Sequence, residues 1–450
     1  MIDLARRIRS LAIRLITDPA RRSRRWQRAE RQRQRRGEPH RVHYFHQVDD
    51  PYSRLAAQAL GALLDRYDIV LEIHPVADAA AIAIHEPRLW RQWAEADAAA
   101  IAPFWRCDGQ PLTLSPQAEP ADAEQLQRAQ ALLCTPRAPR DWAPLAVALG
   151  EALARGDGAA LATLAQQYAA ADADATAARL ADGARLRHRL GHYLGGMFHY
   201  GGEWYWGLDR LHYLEARLDQ LGARRADAAP GPSAELVLPP PPAPVPGRRL
   251  TLEFFPSLRS PYTQLAYTRI ADLCTRYPID LVLRPVLPMM MRGVKADRRK
   301  TTYILQDTRR EAERLGIDFG NAWDPFGEPI RRAYSLFPWA RDQGRGFAYL
   351  QTYSQAVWAE RVNAWNLDGL RHIVERAGLD WSGAQAILDN RDWEPEMEAN
   401  VQAMITAGSW GVPSFRLPGE LGMPDFTLWG QDRIWRLEVE IARRLAVPER

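Results

Sequence analysis

The chain has 450 residues, 46 % of them hydrophobic and 25 % charged, with a formal net charge of +4. These values exclude a single small module, a fibrous protein and wholesale disorder, and at roughly 100 to 200 residues per domain they point to two domains or three. The three cysteines, Cys107, Cys134 and Cys274, are far apart, so the sequence has neither a disulfide scaffold nor a CxxC dithiol centre.

Residues 1–40 read as a basic amphipathic segment. Ile2, Ala5, Ile8, Leu11, Ala12, Leu15 and Ile16 recur at helical spacing among Arg6, Arg9 and Arg14, and an arginine-rich run follows from Arg21 to Arg36. Met1 to Arg41 carries a net charge of +10, which leaves −6 for the rest of the chain. Residues 1–36 therefore suit contact with an anionic membrane surface or a protein, or simply form a solvated helix packed on the body. No specific nucleic-acid partner is expected. Arg9 and Arg14 interrupt the apolar stretch too early for a signal peptide, and no run of 18 apolar residues offers a span, so a cytoplasmic protein with peripheral membrane contact is expected.

Self-similarity divides the remainder. Tyr52 to Val76 aligns without gaps to Tyr262 to Val286 with ten identities in 25 positions, and Trp206 to Glu215 matches Trp429 to Glu438 at six of ten, in the same order. Between the two copies, Ala226 to Arg248 holds eight of the 33 prolines and reads as a semi-stiff linker. The expected layout is thus a domain over 41–225, a linker over 226–248 and a domain over 249–450.

Each copy has the same local grammar, clearer in the second. Leu250 to Phe255 is an apolar strand, Ser260-Pro261 caps and opens a helix, and Leu265, Ala266, Ile270, Leu273 and Cys274 mark its core face. Tyr277-Pro278 ends that helix and Ile279 to Val286 is a second, parallel strand. Met289 to Ala407 is mostly helical, with turns at Asp324-Pro325-Phe326-Gly327 and Gly378. Val412 to Leu417, Asp425 to Trp429 and a helix over Gln431 to Leu445 close the copy. The fold class is α/β, two tandem thioredoxin-like domains each with a helical insertion.

The FFPSLRSPYTQLA turn, Arg284-Pro285-Val286-Leu287, Gly411-Val412-Pro413-Ser414-Phe415 and Trp429-Gly430-Gln431-Asp432-Arg433 together resemble the DsbA-like superfamily, in the branch of 2-hydroxychromene-2-carboxylate isomerases and kappa-class glutathione transferases. The resemblance implies glutathione as cofactor or cosubstrate and a small unsaturated or aromatic substrate. It also implies that Ser260 bonds the glutathione sulfur, that a cis Val412-Pro413 peptide pairs with its cysteinyl part, and that Gln431 and Asp432 meet its γ-glutamyl group. Magnitudes allow this. Lowering a thiol pKa from about 8.5 to about 6.5 takes roughly 2.7 kcal/mol. A hydrogen bond to a charged group supplies about 1.5–3 kcal/mol, and a helix N-terminus about 0.3–1 kcal/mol more. Ser260 has a competing role as a plain cap, and Asp432 as an acidic residue of a first helical turn.

The substrate pocket is expected around Tyr262, Arg259, Met289, Met290 and Met291, with Lys295 and Asp307 nearby. Family members commonly carry Asp three residues before the serine, where this chain has Ser257. In the first copy Asp50 stands for Ser260 and Gly196 for Pro413, which marks that copy as degenerate, since a carboxylate would repel a thiolate. No metal site is expected, although nine of ten histidines precede the linker, among them His43, His46, and His188 and His192 at i, i+4. P-loop, GxGxxG and GxSxG motifs are absent. The function expected is a glutathione-dependent isomerase or transferase; the rivals are a non-catalytic binding or scaffold protein and a thioredoxin-fold oxidoreductase.

Overall fold

A computed structural model of the chain describes residues 2–77, 84, 86–117, 119–294, 297–420 and 422–447. It divides into two units, one of residues 23–238 and one of residues 1–22 with 239–450.

The 23–238 unit is built on a four-stranded sheet of β1 (His40–His46), β2 (Ile69–Pro75), β3 (Met197–Tyr200) and β4 (Glu203–Trp206), in the order β2-β1-β3-β4. β1 and β2 are parallel, while β3 runs antiparallel to both β1 and β4. Between β1 and β2 the chain forms helices Pro51–Gln58 and Leu60–Arg66, with Asp50 as N-cap accepting from Ser53 N and Pro51 at the first turn. The apolar residues Leu55, Leu60 and Leu63 of these helices are 2 % exposed or less. Among the described residues five α-helices between Pro87 and Leu190 form the insertion, the last being Ala173–Leu190.

The other unit has the sheet β8-β7-β5-β6, from β5 (Leu250–Phe255), β6 (Ile279–Leu283), β7 (Ser414–Leu417) and β8 (Phe426–Trp429). Here too the first pair is parallel and the other two are antiparallel. Helix Pro261–Arg276 crosses from β5 to β6, burying Leu265, Ala266, Ile270 and Leu273 in one cluster with Leu250, Leu252 and Phe254. Six helices from Arg298 to Thr406 intervene before β7, and helix Ile434–Leu445 closes the unit. β6 is shorter than the sequence pattern: it ends at Leu283, and beyond it Val286 N bonds Pro256 O. β7 likewise starts only after Pro413, at Ser414.

The two sheets agree in register as well as order. His40 faces Ile69 and Leu250 faces Ile279; Ile69 and Ile279 correspond in the gapless repeat, and His40 and Leu250 stand at the same offset upstream of it. Phe45 faces Met197 and Phe255 faces Ser414, so Gly196 and Pro413 hold equivalent places just before their strands.

The residues read as a linker are tied down at both ends. Ser233 is fully buried, giving its N–H and hydroxyl to Glu215 Oε1 at 2.7 and 2.6 Å, and Glu235–Leu236 pairs antiparallel with the strand Trp105–Cys107. Further on, Val245 N bonds Leu445 O, and the Arg248 guanidinium, nearly buried, reaches Glu420 and the Val447 carbonyl. The semi-stiff linker read over 226–248 thus has an anchored segment at each end, and the division between the two units falls within it, between Leu238 and Pro239.

The first helix, Ile2–Thr17, belongs to the C-terminal unit. Its buried face is Ser10, Ile13 and Thr17, with Thr17 Oγ1 donating to Ile13 O and Gly320 O. Leu4, Ile8, Leu11 and Leu15 point outward, 63, 57, 46 and 38 % exposed. No helix among the described residues is long and apolar enough to cross a membrane.

Candidate functional site

The site grows from the start of helix Pro261–Arg276. Ser260 is its N-cap, with extended backbone (φ −91°, ψ 117°), and its Oγ accepts from Thr263 N at 3.2 Å. The same hydroxyl donates to the Val412 carbonyl at 3.4 Å. That bond is long for O–H···O, so the proton is held loosely. The Val412-Pro413 peptide is cis. Its position is set by packing: a Cβ on Gly411 would lie 2.4 Å from the Trp429 ring, and Pro413 O accepts from Gly430 N at 2.9 Å.

The loop before Ser260 is pinned from three sides. Leu258 N donates to Tyr334 Oη at 3.3 Å, Trp358 Nε1 donates to Leu258 O at 3.2 Å, and Arg259 Nε donates to Asp324 Oδ1 at 3.1 Å. Asp324 is fully buried and also receives Arg9 Nε at 2.9 Å, while its own N–H bonds Ser10 Oγ. Arg259 is therefore not a free cation waiting for an anion. A carboxylate with no exposure needs opposing charge, and Arg259 supplies it while lying over Phe326, 4.8 Å from its centroid, and pointing Nη1 at Met290 Sδ. Ser257, standing where an Asp is common, is buried.

The structure brings Ser260, Val412, Pro413, Arg259 and Met290 together, and turns others elsewhere. Gln431 is 1 % exposed; its amide donates to Glu311 Oε2 at 3.0 Å and accepts from Arg269 Nη1 at 3.0 Å. Burial, first of all, pulls the Arg269 pKa down to about 10. The Gln431 side chain is thus held in a buried network, and the neighbouring Asp432, 3.9 Å from Arg433 Nη1, keeps 22 % of its side chain exposed. Tyr262 Oη donates to the buried carboxylate of Asp307 at 2.8 Å, and Arg310 holds the other oxygen at 2.6 Å. Met289 to Met291 form a short 3₁₀ turn in which Met290 is exposed and Met291 packs on the core. Lys295 lies outside the described residues. Arg9, Ser10 and Asp324 were not legible as site residues, since Asp324-Pro325-Phe326-Gly327 carries only a turn signal.

At the equivalent place in the 23–238 unit, Asp50 Oδ2 accepts from Ser53 N at 2.8 Å and Ser53 Oγ at 2.7 Å. Desolvation, the largest influence, pushes its pKa up to about 6. Gly195 and Gly196 press on the same helix start: a Cβ on Gly195 would meet Ser53 Oγ at 2.9 Å, and one on Gly196 would meet Ser53 N at 3.0 Å. His188 and His192 do not share a helix face, because the helix ends at Leu190 with Gly191 as a left-handed cap. The three cysteines are free thiols, with burial raising the pKa of Cys107 to about 12 and that of Cys134 to about 11. None is a ready thiolate.

Comparison with known proteins gives a match of residues 251–442 to the model of the DSBA-like thioredoxin domain family. The chain is 25 % identical over 203 residues to a 2-hydroxychromene-2-carboxylate isomerase of Pseudomonas putida, covering 43 % of this chain and 95 % of that protein. Among solved structures, a 2-hydroxychromene-2-carboxylate isomerase matches at 22 % identity and a TM-score of 0.37, covering 43 % of this chain and 96 % of that one. The cytosolic disulfide reductase DsbM of Pseudomonas aeruginosa matches at 20 % identity and a TM-score of 0.34, covering 44 % and 100 %. Residues 251–442 form a DSBA-like thioredoxin domain.

Proposed function

We propose that the C-terminal unit is a glutathione-dependent isomerase or transferase acting on a small unsaturated or aromatic substrate. The observation that carries this reading is the pairing of the Ser260 hydroxyl with the Val412 carbonyl at 3.4 Å beside the cis Val412-Pro413 peptide. A loosely held hydroxyl proton at a helix N-terminus, next to a peptide edge, fits a thiolate. Bound glutathione would supply the sulfur nucleophile that the chain's own high-pKa cysteines do not. Ser260 would turn its proton from Val412 O to the sulfur, with Thr263 N still holding the Ser260 oxygen. Asp432, partly exposed where Gln431 is buried, would receive the γ-glutamyl ammonium. Met290 and the Phe326 ring would offer an apolar, polarisable wall to the substrate.

The matched isomerase of Pseudomonas putida agrees with the isomerase form of this reading. The 23–238 unit is proposed as a silent second copy. Its sheet order and repeat register support common descent, and the contacts around Asp50, Gly195 and Gly196 leave a thiol neither room nor a complementary charge. The outward row Leu4, Ile8, Leu11 and Leu15, among arginines, further supports peripheral docking of the first helix on an anionic membrane.

Calorimetric titration of millimolar glutathione into the wild type and Ser260→Ala tests the activity. One site per chain, with a thiolate absorbance that the variant loses, supports the enzyme. No heat and no thiolate signal would leave the non-catalytic reading in its place.

A further inference from the structure

We infer that the sheet of the 23–238 unit carries a site for a first-row divalent cation such as Zn²⁺, formed by His43, Glu72 and His74. The strand pairing creates it. His43 of β1 faces Glu72 of the parallel strand β2, and His74, two residues further along β2, emerges on the same side of the sheet. Among the described residues these form the one group of three or more potential ligands whose donor atoms lie within 4.8 Å of one another.

The donor spacing suits a metal. His43 Nδ1 is 3.1 Å from Glu72 Oε2 and 3.1 Å from His74 Nε2, and the last two atoms are 3.9 Å apart. A tetrahedral ion with bonds of about 2.0–2.1 Å separates its ligand atoms by about 3.3–3.4 Å. Small rotations of these side chains meet that value. The side chains are 19, 31 and 20 % exposed, shielded yet reachable.

The surroundings orient the three side chains. Arg41 pairs with Glu72 Oε1, which leaves Oε2 turned to the histidines and fixes the carboxylate's orientation. On the next strand His199 stands directly opposite His43, ring centroids 6.0 Å apart, and its buried Nδ1 has no hydrogen-bond partner among the described residues. Two imidazoles and one carboxylate leave a coordination position for water, the composition of an open rather than a closed site.

The test uses the untagged full chain after chelator treatment, titrated near neutral pH with Zn²⁺ by calorimetry and with Co²⁺ by visible absorption. The expected result is one ion per chain, with Co²⁺ bands of low coordination number. His74→Ala and Glu72→Gln should each weaken uptake more than about 100-fold, beyond the loss typical of an outer-shell change. His188→Ala and Ser260→Ala should bind like the wild type, which separates this site from the glutathione reading. Glu72→Gln preserves shape and stays informative if a histidine variant unfolds by circular dichroism. Absence of one-to-one uptake by the wild type, or uptake that persists in both His74→Ala and Glu72→Gln, overturns the assignment.

Discussion

Arg9 donates Nε to Asp324 at 2.9 Å, so a residue of the first helix completes the charge balance of a fully buried carboxylate that also holds Arg259 next to the candidate catalytic serine. The two guanidiniums share the task unequally, since the Arg9 side chain is 42 % exposed and that of Arg259 only 19 %. Arg9→Ala should cost about 1–2 kcal/mol, because Arg259 remains as partner. Asp324→Ala, which strips Arg259 of its carboxylate, should cost about 3–5 kcal/mol. Denaturant unfolding of both variants checks the order; equal losses would contradict it.

Ser260 has two roles that one substitution separates. Ser260→Asp keeps an N-cap oxygen for Thr263 N, so stability should stay within about 0.5 kcal/mol of the wild type. A carboxylate there repels a thiolate, and glutathione affinity should fall at least about tenfold, the factor expected for losing a charge-assisted hydrogen bond. Unchanged glutathione binding by Ser260→Asp would remove the thiolate role.

Asp50 makes stability depend on pH in a definite direction. Its carboxyl pKa is raised from 3.8 to about 6 in the folded chain, chiefly by desolvation. The folded state therefore binds more protons than the unfolded one between these values, and stability falls as pH rises through that window. Asp50→Asn keeps the cap without the charge, so it should flatten this slope and gain up to about 3 kcal/mol at pH 7. Thermal midpoints of both proteins from pH 4 to 7 supply the comparison.

The outward row of the first helix predicts a surface activity. Vesicles rich in anionic lipid should sediment the wild type, less so at high salt. Replacing Leu4, Ile8, Leu11 and Leu15 together by Ser should reduce binding at least about tenfold while leaving folding intact, since all four already face outward. Equal sedimentation of the variant would rule out an apolar contribution.

Much of the architecture follows from local sequence chemistry. The caps Ser260 and Asp50, each followed by a proline, start their helices, apolar spacing identifies the buried helix faces, and Pro413 directly precedes the strand that begins at Ser414. The repeat also predicts the matching registers, because side-chain alternation with period two ties each strand to one pairing wherever a face is buried. Tertiary structure alone decided which polar groups meet. Gln431 turns inward to Arg269 and Glu311, Asp324 gathers Arg9 and Arg259, and the proline-rich stretch is tied to Glu215 and Leu445. His43 meets Glu72 and His74 only because β1 and β2 lie side by side. Periodicity and capping are read from neighbours within a few residues, whereas a buried charge takes whichever partner the packed chain brings within about 3 Å, at any separation in sequence.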